Sequence, residues 1–212
     1  MALCVCPRGQ SLTTIPVNDC PVNLAQIQKL AFQRLYKSDG SKNGFLLPAD
    51  DIKLKASWTS CMTATDDTKI VISPWVQNPT TDPGAARTFG GGNETLSGIP
   101  IVLGSDPTTF TAVLRQLPQD LIKILKELAC ENIGVYLFDA DGTIAAASDH
   151  ATTNKFYTPF HIAPSTFFVS DLILGGHEGV DGNNLQFSLM PNWSDDLVLI
   201  KPTDFNPIMD LR

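Results

Sequence analysis

Charge is scarce in this chain. Asp, Glu, Lys and Arg make up 17% of its 212 residues, where a typical soluble domain carries about a quarter. Such a shortage is expected where partners cover part of the surface, or in a tightly folded secreted domain. Histidine is scarcer still. His150, His161 and His177 share no spacing with any thiol or carboxylate, and His177-Glu178 falls in the turn-rich stretch GGHEGVDGNN. No His-Glu-x-x-His and no Gly-x-Ser-x-Gly occurs, which removes the zinc-protease and hydrolase-elbow patterns. No apolar run is long enough to span a bilayer, so no membrane partner is expected. The start MALCVCPRGQ lacks a basic region followed by an apolar core, the pattern of a secretory signal.

Basic residues are outnumbered, with 15 Lys and Arg against 22 Asp and Glu, a net charge of −7. A protein that grips nucleic acid does so by neutralising phosphates, so tight DNA or RNA binding is not expected. A surface past which DNA slides without sticking is compatible with this charge. The cysteines Cys4, Cys6, Cys20, Cys61 and Cys130 are odd in number and contain no Cys-x-x-Cys. Cys4, Cys6 and Cys20 have no histidine nearby to complete a zinc site, and reduced thiols in a cytosol-assembled protein fit better. No metal and no cofactor is expected.

What is present is apolar residues, 43% of the chain, in short runs separated by Gly, Pro, Asn and Asp. Residues 1–21, broken by Pro7, Pro16 and Pro21, read as an extended arm. NLAQIQKLAFQRLY (23–36) fits both a helix and an alternating strand, and the β character of the rest favours the strand. DIKLKASW (51–58) alternates cleanly and predicts a strand. Further strands are expected at 69–73, 99–104, 108–115, 133–139, 143–148, 166–171, 184–190 and 197–201. One helix stands out, about 117–130. Leu117, Leu121, Ile124, Leu125 and Leu128 form its apolar stripe, and Pro118 suits its first turn. The expected fold is therefore mainly β: an antiparallel sandwich or half-barrel of residues 22–201, this flanking helix acting as a packing lid, and a C-terminal tail, 202–212.

Residues 77–98, QNPTTDPGAARTFGGGNETLSG, show no periodicity and read as a long inserted loop. Loops of this length inside a compact domain usually have a role. Gly90, Gly91 and Gly92 lack the lysine of a P-loop and the spacing of a dinucleotide turn. Arg87 and Phe89 are residue types that anchor interfaces.

VYLFDADGTI (135–144) resembles the nucleophile motif of the haloacid-dehalogenase-type phosphotransferases. That resemblance would make Asp139 the nucleophile and Asp141 the acid/base, with Mg²⁺ between them. The family also needs a Ser or Thr, then a Lys, then an acidic pair. Ser165 or Thr166 and Asp195 with Asp196 would stand for these, but Lys155 precedes both. The motif should end the first strand of a parallel sheet, whose βαβ units each take about 30 residues. The 70 residues after Gly142 carry no helical stripe. Asp-Gly between two apolar runs is a hairpin signal, because both turn residues, Asp141 and Gly142, accept positive φ, and Asp139 and Asp141 are then exposed at the hairpin tip. No catalytic residue is expected.

The order of parts resembles a tailed-phage tail-tube protein: arm, β-sandwich, mid-chain loop, strand–helix–strand leading to a hairpin, further strands and an extended end. QIQKLAFQRLY, PGAARTFGGGNETLSGIPI and PNWSDDLVLIKPTDFNPIMDL resemble structural proteins encoded by phages and prophages of gut bacteria. The resemblance implies a non-enzymatic virion component, assembled in the bacterial cytoplasm. It implies rings, commonly hexameric, that stack into a conduit for DNA and join other tail proteins. It implies no small-molecule substrate. A capsid decoration or tail-completion protein is the alternative. On this reading the inter-subunit contacts are expected at Arg87, Phe89, Gly90, Gly91 and Gly92, and at Trp193 and Phe205 near the C-terminus.

Overall fold

A computed structural model describes Ile15 and residues 24–212. Apart from Ile15, the expected arm 1–21 lies outside the described residues, as do Cys4, Cys6 and Cys20. The chain divides into two compact units, one of residues 1–24 and 86–104, the other of residues 25–85 and 105–212.

The strands in chain order are β1 (Ile27–Arg34), β2 (Phe45–Leu46), β3 (Ile70–Ile72), β4 (Gln77–Asp82), β5 (Ala86–Phe89), β6 (Ile101–Ser105) and β7 (Thr108–Arg115). They continue with β8 (Ile133–Asp139), β9 (Ile144–Ser148), β10 (Phe156–Thr158), β11 (Phe160–His161), β12 (Phe168–Val169), β13 (Gly182–Leu189) and β14 (Leu197–Ile200). In the larger unit a curled half-barrel sheet runs β2-β10-β9-β8-β1-β3, with β11 also paired to β8 and β14 to β9. A second sheet runs β12-β13-β7-β4, and the described strand pairings are antiparallel. The mainly β expectation holds, and of the ambiguous stretch 23–36 the residues Ile27–Arg34 form a strand.

β8 is the centre. All seven of its residues are buried, because both faces of the sheet are covered. Side chains alternate between faces along a strand. Tyr136 and Phe138 join Ala31, Phe45 and Trp58 in one core. Phe32 lies on the opposite face of β1 from Ala31. Its ring meets Phe167 at 5.3 Å and Phe187 at 6.3 Å, and Phe187 stacks on Phe110 at 4.7 Å. Those contacts join the two sheets into a sandwich.

The alternation in 51–58 does not make a strand. Lys55–Thr63 form a helix, α1. Its N-terminus has no cap from its own neighbourhood. Instead the Asp204 carboxylate accepts the Lys55 N–H at 2.9 Å. Trp58 is fully buried against Phe45, Tyr136 and Phe138, and its indole N–H donates to the Ile52 carbonyl. Burying a side chain of this size contributes on the order of 3 kcal/mol.

The expected helix is present as α2 (Gln119–Glu127), continued by a 3-10 turn at Leu128–Cys130. It is less of a lid than its stripe suggested. Ile122 and Leu125 are buried, while Leu121 is 42% and Ile124 54% exposed. Residues 202–212 are not an extended tail. Thr203 N–H bonds to the Lys53 carbonyl, and Pro207–Asp210 form a short helix, α3, capped by the Asn206 side chain. Ile208 and Leu211 are buried in the same core as Trp58. Nor is 77–98 structureless, since it contains β4 and β5. Pro79 and the polar run QNPTTD concealed β4, an edge strand with a bulge between Gln77 and Thr80.

Candidate assembly surfaces

The Asp-Ala-Asp-Gly-Thr stretch is a hairpin between β8 and β9. The Asp139 carbonyl accepts the Gly142 N–H at 3.0 Å, and the Asp139 N–H donates to the Thr143 carbonyl at 3.1 Å. Gly142 takes the left-handed conformation, φ 78°. This is a three-residue connection closed by a left-handed glycine. Two expectations need correction. Of the two aspartates only Asp141 is exposed, and neither has positive φ. Asp139 is 3% exposed, and its Oδ1 accepts the N–H groups of Asp141 at 3.0 Å and Thr143 at 2.8 Å. Its carboxylate thus fixes the chain reversal. Among the described residues no group of three or more His, Cys, Asp or Glu is placed to hold a metal ion.

The smaller unit holds Arg87, Phe89 and the glycine triplet. β5 and β6 form a two-stranded ribbon. Gly90, Gly91 and Gly92 have φ of 80°, 130° and 59°. Three successive positive values are accessible only to glycine at low cost, so the triplet answers to backbone geometry. The Arg87 guanidinium lies over Gly104, where an added Cβ would come within 3.3 Å of Nη2.

The ribbon's surface is apolar. Ile101, Val102 and Leu103 are 57%, 62% and 65% exposed. Consecutive strand residues point to opposite faces, so among the described residues neither face of β6 is covered at Ile101–Leu103. Phe89, Leu96 and Ile99 are exposed as well, Leu96 at 94%. Ile101–Leu103 escaped sequence reasoning, because an apolar run predicts a strand without saying whether anything lies on it.

Trp193 and Phe205 sit elsewhere. Trp193 is half-buried at the rim of a cleft of about 250 Å³, with its ring edge-on to Phe160 at 5.1 Å. Asn43 and His161 also line this cleft, and the buried Asn43 Oδ1 and His161 Nε2 have no hydrogen-bond partner. Phe205 is partly buried and packs against the Trp58 core. Cys61 and Cys130 are free thiols.

Several strand margins are unpaired among the described strands. β3 and β4 each end a sheet, and β14 pairs only with β9 among the described strands. No helix among the described residues is long and apolar enough to cross a membrane. No protein-family model matches the chain, and neither a curated protein nor a solved structure is significantly similar to it.

Proposed function

We propose that the chain is a structural subunit that assembles with copies of itself, and that it builds the tail tube of a phage virion. The observation that carries self-assembly is the ribbon at Ile101–Leu103, apolar and exposed on both faces among the described residues. A two-stranded ribbon is marginal in water without further packing. Exposed apolar patches beyond a few hundred Å² mark interaction surfaces. The margins of β3, β4 and β14 left unpaired among the described strands add backbone groups that a neighbouring strand can pair. A head-to-tail contact between copies closes into a ring when the rotation per subunit allows.

The tube assignment rests on the resemblance of the sequence to phage structural proteins and on the order of its parts. The charge of −7 suits a wall past which DNA moves without binding. Electron micrographs of the purified protein, with the assembly's mass, test the reading. Rings that stack into filaments support a tube. A single ring or trimer that never stacks supports a decoration or completion protein instead. Monomers at every salt and concentration contradict both.

A further inference from the structure

Besides the apolar ribbon, the chain carries an apolar groove. It measures about 510 Å³ and lies among β3, α2 and α3. Trp75, Leu121, Ile124 and Met209 line it and are 48%, 42%, 54% and 59% exposed. Lys29 and Arg212 are its charged lining residues, and none of its lining residues is acidic. Lys29 is 5% exposed. Its ammonium donates to the carbonyls of Ile208 at 2.6 Å and Leu211 at 3.1 Å and lies 5.1 Å from the Trp75 ring centroid. The groove therefore has apolar walls and cations at its base and end.

We infer that the occupant of this groove is the β5–β6 ribbon of a second copy. This rests on the self-assembly reading above and names the two surfaces that meet. Two observations favour this occupant. The first is charge: Glu94 is the one carboxylate in residues 86–104, and the one basic residue there, Arg87, lies over Gly104 of its own ribbon. Glu94 is exposed in the turn between β5 and β6, opposite in sign to the groove's Lys29 and Arg212. The second is area. Phe89, Leu96, Ile99, Ile101, Val102 and Leu103 are between 54% and 94% exposed. At about 200 Å² for a large apolar residue, they present roughly 800 Å² over the ribbon's two faces together. A stable interface covers about 800 Å² per partner. Ribbon and groove are different surfaces, so each contact leaves one of each free to bind the next copy, and the series closes into a ring when the rotation per subunit allows.

Two full-length variants test this, Ile101→Asp on the ribbon and Ile124→Asp in the groove. Both positions are exposed, so circular dichroism and thermal midpoint should match the wild type. Each variant alone should associate at least about tenfold more weakly, as expected when a central interface residue is lost. Mixed in equal amounts, they should form dimers and nothing larger, because one intact ribbon meets one intact groove. Glu94→Arg should weaken association, and adding Arg212→Glu should restore it. If Ile124→Asp assembles like the wild type, the groove is not the receptor, although self-assembly stands. Two inactive variants that stay monomeric when mixed also overturn the pairing. A wild type that is monomeric throughout overturns the self-assembly reading itself.

Discussion

The carboxylate of Asp204 accepts the backbone N–H of Lys55 at 2.9 Å, linking residues 149 positions apart in sequence. The first N–H groups of a helix have no partner within it, and a side-chain oxygen there stabilises the end. Asp204→Ala should lower stability by about 1 kcal/mol. Asp204→Asn, which keeps an oxygen acceptor, should lose less. Urea unfolding measures both, and an unchanged midpoint for the Ala variant would show that the C-terminal segment does not hold α1.

Asp139 carries a second expectation. Its buried side chain accepts two backbone N–H groups of the turn through Oδ1. Asp139→Ala should cost about 2 kcal/mol or more, since bonds to charged groups are worth more than neutral ones. Asp139→Asn should cost less. Wild type and Asn variant should be equally inactive towards an aryl phosphate with Mg²⁺. Activity in the wild type that the Asn variant loses without losing stability would assign the carboxylate a chemical role instead.

Burial lowers the His161 imidazole below its ordinary 6.5. The unfolded chain therefore takes up this proton at higher pH than the folded one. The stabilisation from a neutral His161 is complete above pH 6.5 and is lost as pH falls through the folded value. Carboxylates such as Glu131 and Asp39 are held below 4.5 and 3.8 by hydrogen bonds, so they titrate in a more acid window. Unfolding in urea should be easier at pH 5.5 than at pH 7.5, and His161→Gln should flatten that difference. A slope unchanged by the substitution would place the titrating group elsewhere.

Strands were readable where the local pattern and the final environment agree. Thr108–Arg115 alternates and Ile133–Asp139 is continuously apolar, and both form strands with those bounds. α1 was not readable, because its stabilising groups are remote: Asp204 at its N-terminus, and Phe45, Tyr136 and Phe138 around Trp58. The C-terminal segment looked like a tail because its two anchors, Ile208 and Leu211, are small beside the core they enter. Asp139 looked exposed, because spelling alone does not say which way a turn carboxylate faces. Arg87 and Phe89 stand out in the sequence as residue types that anchor interfaces, and both side chains are exposed. Ile101–Leu103 do not stand out, and neither does the groove at Trp75, Ile124 and Met209, since one face of a helical stripe reads the same whether covered or bare.

The claim that a lone copy leaves its apolar ribbon uncovered is tested most directly by amide hydrogen exchange. Ile101, Val102 and Leu103 should be followed in the full-length protein at a dilute and a high concentration. Fast exchange when dilute and strong protection at high concentration is the outcome the assembly account requires. Equal rates at both concentrations, fast or slow, would mean that no second copy covers the ribbon.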